Sequence, residues 1–515
     1  MRSLLLFLLT PVLLLQAALG LKLPHFFTDG MVMQREVEAP IWGWAKPGQK
    51  IKATLQGQSH ETVVKPNHSW KVVFKGLKAT AEPQELVIVC DGNQHKISDV
   101  LIGEVWIASG QSNMEWQMHR TDHGSAEVAK ADDPALRVFT SENRAQAAPA
   151  NDWWGAWRCT NPKKTGNFTA VGYYFAKDLR KELGVPVAII ECAWGGKPVQ
   201  AFISDEAIRA LPEASKLVAK KADYIKKWDP NQAEKQFKER KAAFDKKLAQ
   251  WHKDKKGNKP RGPKRPIDPR QNPSLHSTIY NGMIAPLVGY GCRGIIWYQG
   301  ESNANPESAD IYAKLLATMV KDWRTRWGKE LPFYFAQLTN YYKPVDKPGT
   351  DHHWVHVQEQ QRLAHFMIPN SGIAIINDIG ASDDIHPRNK LDVGKRLARW
   401  ALKKTYGRDL GVVSGPLFKA LERRGSELAV HFHYDYGLKT KDGKEPRHFE
   451  IAAENGPWHW AKARLENNTV VLSHPEIKKP TRVRYAWATN PASANIVNAA
   501  SLPASVFHEK AELQK

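Results

Sequence analysis

Between residues 21 and 100 apolar and polar residues alternate in short runs, such as Lys50-Ile51-Lys52-Ala53-Thr54-Leu55 and Trp70-Lys71-Val72-Val73-Phe74. Pro-Gly, Asn and Gly separate the runs, and 85–90 adds another apolar stretch. A period of two with such punctuation predicts strands with one buried face, so 21–100 reads as an N-terminal β domain, a small β-sandwich. Past Leu101 the texture changes. Continuous apolar runs at 105–108, 185–192, 294–298, 332–337 and 372–377 alternate with helical spacing at 171–183 and 311–327. Strands covered on both faces lose the alternation, so 101–408 is expected to form an α/β domain with a mainly parallel, doubly wound sheet. Alternation returns at 428–432 and 483–487, which predicts a C-terminal β domain over 409–515. No solenoid-type repeat is visible.

The first twenty residues break this pattern. Arg2, an apolar stretch from 4 to 15 and the small residues of Ala18-Leu19-Gly20 read as a signal peptide over 1–20. A transmembrane anchor needs about 20 uninterrupted apolar residues, and Pro11 interrupts this stretch. The expectation is a secreted or periplasmic protein with no membrane span after signal cleavage. Four cysteines, Cys90, Cys159, Cys192 and Cys292, permit disulfides, but Cys192 and Cys292 lie in apolar runs that equally suit buried thiols. No Cys/His spacing suggests zinc, and no metal is expected.

Charge changes the picture in one place. The chain carries 74 basic against 53 acidic residues, a formal +21, and much of the excess lies between Lys216 and Arg270. We read 215–272 as a basic, solvated helical insertion ending in a loose linker; the functional alternative is a patch for an acidic glycan. An exported chain without a recognisable binding module has no evident nucleic-acid role. Nineteen tryptophans lean towards carbohydrate, because exposed indoles stack on sugar faces.

The chemistry sits where the apolar runs stop. Gly110-Gln111-Ser112-Asn113-Met114-Glu115 follows one run, and a tight turn after a strand is how such scaffolds expose a nucleophilic serine. Ala193-Trp194-Gly195-Gly196 follows a second, and paired glycines leave backbone N–H groups open to a ligand. Trp297-Tyr298-Gln299-Gly300-Glu301-Ser302-Asn303 closes a third; an amide there could donate to an oxyanion, and Glu301 could contact substrate hydroxyls. Asp383-Asp384-Ile385-His386 brings carboxylates and an imidazole together. The three-residue spacing of Asp383 from His386 suits one turn of chain, and Asp384 could also fold back. Nucleophile, base, orienting acid and oxyanion donors are the components of acyl transfer. A glycosidase pair of Glu115 and Glu301 would leave Ser112 and the Asp/His loop without a role. A catalytically silent glycan-binding protein would leave all of them so.

These blocks resemble the sialate O-acetylesterase family, a branch of the SGNH hydrolases. The resemblance rests on Gly110-Gln111-Ser112-Asn113-Met114, on Trp297-Tyr298-Gln299-Gly300-Glu301-Ser302-Asn303 and on Asp384-Ile385-His386-Pro387-Arg388-Asn389-Lys390. It extends to Phe27-Thr28-Asp29-Gly30-Met31-Val32-Met33-Gln34 and Tyr485-Ala486-Trp487-Ala488-Thr489-Asn490-Pro491, nearly the whole chain after the leader. It implies a flavodoxin-like three-layer α/β/α core with flanking small β-sandwich domains, and removal of O-acetyl groups from sugars without a cofactor. It implies Ser112 as nucleophile and His386 as base. The oxyanion hole would be Ser112, the second-block glycine (Gly195 or Gly196, with Gly196 preferred) and Gln299, with Asn303 the alternative amide; Glu301 and Asn303 would bind substrate. For the acid, the general Asp-x-x-His spacing selects Asp383, whereas the sialate-type block places its aspartate at Asp384; both are candidates, with Asp383 favoured. Acetylated sialic acid is the first substrate implied, acetylated plant or algal polysaccharide such as xylan the second.

Overall fold

The structure, a computed structural model, describes residues 20–345 and 347–511, so the leader expected at 1–20 lies almost wholly outside the described residues. Its central sheet runs, edge to edge, Ser371–Ala374, Phe333–Ala336, Gly294–Tyr298, Asn93–Gly110, Val187–Ala193, Asp133–Ser141 and Gly155–Thr160. Each neighbouring pair is parallel except the last. Without the edge pair 133–160, the sheet order is second, first, third, fourth, fifth along the chain, the flavodoxin-like arrangement. Such sheets place their ligands at the carboxyl ends of the strands, where connections diverge to opposite faces.

The apolar runs are continuous because both faces of these strands are covered. Val105 and Ile107 join one core with Trp297, Leu316 and Trp323. Trp106 and Ala108, on the other face, join Phe175, Leu179, Leu397 and Trp400. Helices Tyr312–Trp327 and His353–Met367 cover the first face, and Ala170–Leu183 and Lys390–Trp400 the second. The chain is therefore an α/β protein with a three-layer core.

Asn93–Gly110 is eighteen residues long and belongs to two bodies. Its first half pairs antiparallel with Thr80–Cys90, and Val32–Gln34 lies parallel beside residues 101–103. Lys50–Leu55 and Gln58–Val63 extend that sheet, and Ala39–Trp44 pairs with Ser69–Phe74 as a second layer. At the other end of the chain two four-stranded sheets face each other. Leu417–Arg424, Glu427–His433, Thr469–Ser473 and Lys462–Glu466 form one; His459–Trp460, Phe449–Ala452, Arg482–Tyr485 and Phe507–Lys510 form the other. Val430, Leu472, Ile451, Val483 and Phe507 fill the space between them.

In the basic segment, helix Ser215–Lys226 buries Leu217 and Lys221, whereas Pro230–Asp254 buries none of its residues. Asp229 starts the second helix by accepting from the N–H groups of Asn231 and Gln232. Residues 255–268 form neither helix nor strand. The four cysteines are unpaired, and among the described residues no helix is long and apolar enough to cross a membrane.

Gly110 ends the central strand with φ +139°, and a Cβ there would lie 2.1 Å from the Tyr298 carbonyl oxygen. That oxygen accepts from the Gln111 N–H at 3.0 Å, so it cannot withdraw without breaking the ladder. Gly110→Ala should destabilise the core by about 1–3 kcal/mol or more, the usual range for overpacking, measured by denaturant unfolding.

Candidate active site

Three strands finish in step. Gly110 lies opposite Ala193 on one side and Tyr298 on the other, and Trp194 N–H donates to the Gly110 carbonyl at 3.0 Å. The turns that follow, 111–115, 194–198 and 299–303, therefore emerge side by side at the carboxyl edge of the sheet. The histidine loop comes from farther away, after the edge strand Ser371–Ala374. It reaches the centre because Lys390–Trp400 returns beside Ala170–Leu183, the helix leading to the neighbour of the central strand.

Ser112 opens the short helix Ser112–Glu115 and is half-buried. Its Oγ lies 2.9 Å from His386 Nε2. On the other side of the imidazole, Asp384 Oδ1 lies 3.5 Å from Nδ1 and accepts from the His386 backbone N–H at 2.8 Å. The preference for Asp383 is corrected here: Asp383 is exposed and forms no hydrogen bond or ion pair among the described residues. The loop is not helical, and an aspartate that accepts from the N–H two residues on folds its carboxylate back under the imidazole. Trp116 stacks on the other side of His386 with ring centroids 4.6 Å apart and planes at 15°. Burial holds the imidazole below its ordinary pKa; Asp384 pulls it up, while Lys390 and Arg120 push it down.

The expected oxyanion groups are rearranged. Ser112 N–H is in the first helical turn, where no carbonyl one turn back can accept from it. Gly195, rather than Gly196, adjoins Ser112: a Cβ on Gly195 would lie 3.3 Å from Ser112 Cβ, whereas one on Gly196 would touch nothing within 4 Å. The Gly195 N–H donates to Glu115 Oε2 at 2.7 Å, and Glu115 Oε1 accepts from Asn143. Gln299 is fully buried and not free to donate. Its amide N–H groups are engaged by Gln111 Oε1, Asn303 Oδ1 and the Lys197 carbonyl at 3.1, 2.8 and 3.3 Å. Asn303 is equally buried, accepting from Val199 N–H and donating to Gln200, so it cannot contact substrate. Glu301 lies beneath the site: Oε1 accepts from Asn113, and Oε2 is buried with no partner. These polar residues weld the turns together because backbone groups at strand ends have left the ladder and need partners.

Several residues without an assigned role in the sequence are central here. Asn113 donates to Glu301 and to the Ile385 carbonyl and accepts from Lys390 Nζ. Lys390 is fully buried, its Nζ 5.8 Å from the Trp116 ring centre and 5.5 Å from that of Tyr298. Burial pulls its pKa down to about 7 against Glu301, Asp384 and Asp122, which raise it. Arg120 lies over Trp116 at 5.6 Å, and Lys197 over Trp194 at 5.5 Å. Lys197 is half-buried and held below its ordinary pKa by burial and by Lys264 of the basic segment. Asn113 and Lys390 stood inside the quoted motifs; Trp116, Arg120 and Lys197 flank them with nothing in type or spacing to mark them.

Comparison with known proteins assigns the family. A family model described as carbohydrate esterase, sialic acid-specific acetylesterase, matches residues 102–227 and 247–403, more than half of the chain. The break, residues 228–246, takes in the start and much of the exposed basic helix. Sialate O-acetylesterase of Rattus norvegicus is 27% identical over 92% of this chain and 91% of its own length. That of Homo sapiens is 25% identical over 92% and 89%. A crystal structure of a carbohydrate acetylesterase from Xanthomonas citri is 31% identical, with TM-score 0.79, and covers 95% of this chain and 99% of its own. With its hydrolase-type site at the carboxyl edge of a flavodoxin-like sheet, the chain belongs to the sialic acid-specific acetylesterase family of carbohydrate esterases.

Proposed function

We propose that the protein removes O-acetyl groups from acidic sugars, sialic acids first among them, by a Ser112–His386–Asp384 mechanism. The observation that carries the reading is the 2.9 Å contact of Ser112 Oγ with His386 Nε2, backed by the Asp384 carboxylate. His386 takes the Ser112 proton as Oγ attacks the acetyl carbonyl, and Asp384 holds the imidazole with Nδ1 protonated and stabilises the cation. The 3.5 Å separation of Asp384 from Nδ1 is of the kind that shortens when substrate binds. The oxyanion is received by the Ser112 N–H and by the Gly195 N–H, where it displaces the Glu115 carboxylate. His386 then protonates the departing sugar oxygen, and water, deprotonated by the same histidine, releases acetate. Export through the leader expected at 1–20 is part of this proposal.

The acidic-sugar element rests on charge. Arg120, Lys197, Lys264 and Arg388 lie on or beside the segments around Ser112, and none forms an ion pair among the described residues. Lys197 Nζ has a neutral hydroxyl, Ser274 Oγ at 3.4 Å, and the Trp194 face but no counter-charge, a deficit an anionic ligand would supply.

Three outcomes test this reading. Acetate release should occur from O-acetylated sialic acid with wild type and fall at least about a thousandfold in Ser112→Ala, the usual scale for a lost serine nucleophile. Release from acetylated xylan alone would overturn the acidic-sugar element and keep the esterase. Asp384→Asn should lower kcat by about 10³- to 10⁴-fold, whereas Asp383→Asn should change it by no more than about threefold, as measured by steady-state kinetics. Arg120→Ala and Lys197→Ala should each raise KM for the acetylated sialic acid while leaving KM for uncharged aryl acetate near wild type. Equal changes on both substrates would sink the role assigned to their charge.

A further inference from the structure

Behind the catalytic pair lies a buried polar bridge that the acyl-transfer steps do not use. The Asn113 amide, one residue after the nucleophile, accepts from Lys390 Nζ, donates to Glu301 Oε1 and donates to the Ile385 carbonyl at 3.0 Å. Ile385 immediately precedes His386, and Lys390 begins the helix that follows the histidine loop. One side chain thus ties the nucleophile turn, the third strand turn and both ends of the histidine loop. Lys390 has no exposed surface, and Glu301 Oε2 is buried without a partner. Burying an ammonium and a carboxylate costs several kcal/mol each before their attraction is counted, so apolar residues would hold the same segments more cheaply. A charge kept at that cost, directly behind a general base, points to a use for the charge.

We propose that Lys390 is the positioning residue of this site: through Asn113 it pins the histidine loop to the nucleophile turn, and its charge keeps the resting His386 neutral and able to accept a proton. The proposal rests on the esterase reading above. The groups acting on His386 are Asp384 from its own loop, Lys390 from the following helix and Arg120 from the turn after the nucleophile; Asp384 favours the imidazolium and the two cations oppose it. Those acting on Lys390 are Glu301, Asp384 and Asp122, all of which favour its protonated form. Lys390, lowered to about 7, still carries its proton while His386, held below 6.5, titrates. Trp116 lies against both, stacked on the imidazole and with its ring centre 5.8 Å from Nζ.

The test is the pH profile of kcat/KM for acetate release by wild type, Lys390→Met, Lys390→Arg and Glu301→Gln. The acid limb of wild type should lie below the ordinary imidazole range, since a base with a lowered pKa stays neutral further into acid. Lys390→Met should move this acid limb to higher pH and lower the plateau on the order of a hundredfold, the scale of an ångström's misplacement of catalytic groups. Lys390→Arg keeps the charge and should keep the wild-type acid limb, even with a lower plateau. Glu301→Gln keeps an acceptor for Asn113 but removes the carboxylate that raises the pKa of Lys390, even though burial pushes the Glu301 carboxyl itself up, so its acid limb should also move up; this variant decides the matter if Lys390→Met does not fold. Unmoved acid limbs in Lys390→Met and Glu301→Gln, or an equal shift in Lys390→Arg, overturn the role given to Lys390 and leave the esterase standing. No acetate release by wild type at any pH removes the esterase reading itself.

Discussion

The site depends on the register of three parallel strands. Gly110 is opposite Ala193 and Tyr298 at once, and the close approach of Tyr298 O leaves no room for a side chain at 110. In step, the three strands release their chains at one level, and the turns that carry Ser112, Gly195 and Glu301 arrive as neighbours. A slip of one residue in either pairing would move a turn by about 3.3 Å and reverse which side chains face each core. The cores enforce the register, because Trp106 and Ala108 fit one set of helices and Val105 and Ile107 the other.

Polar groups at the strand ends complete what the ladder begins. Gln111, Gln299, Asn303, Gln200 and Tyr312 form a buried chain of hydrogen bonds between the first and third turns and the segment after Gly196. Amides suit this place because each offers donors and an acceptor to backbone groups that have left the sheet. Asn113, Glu301 and Lys390 do the same for the histidine loop, with charge in place of neutrality. The surface above is left to Ser112, His386 and the surrounding cations.

The C-terminal sandwich braces the loop that must travel farthest. Gly380 N–H donates to Asn340 Oδ1, and Asn340 Nδ2 donates to Asn490 Oδ1 in the sandwich. Tyr341 N–H donates to the Thr489 carbonyl, and Asn490 Nδ2 to that of Tyr342. Asn377, just past the edge strand, donates to the Ala504 carbonyl. A loop that crosses two strands to meet Ser112 would otherwise wander, and fixed partners outside the core limit the error in His386's position. The exposed basic helix lies outside this framework; its apolar contacts are local, as where the Arg265 guanidinium covers Phe237.

Apolar patterning determined the layers of the core, since alternation marks strands with one covered face and unbroken runs mark strands with two. The ends of those runs marked the Ser112 turn and the histidine loop, because a turn leaving a buried strand must carry polar and glycine residues. Ser112 and His386 could be picked out for that reason, and the fold brings their side chains within 2.9 Å of each other. The aspartate, the glycine and the amides could not be. Choosing Asp384 over Asp383 required the fold of a non-helical loop, and choosing Gly195 over Gly196 required the path of a turn past Ser112. Gln299 and Asn303 look like oxyanion or substrate groups by residue type, but packing against Tyr312 and Gln200 commits their hydrogen bonds within the protein. Residue type limits what a side chain can do. Burial and partners, which exist only when distant segments meet, select what it does.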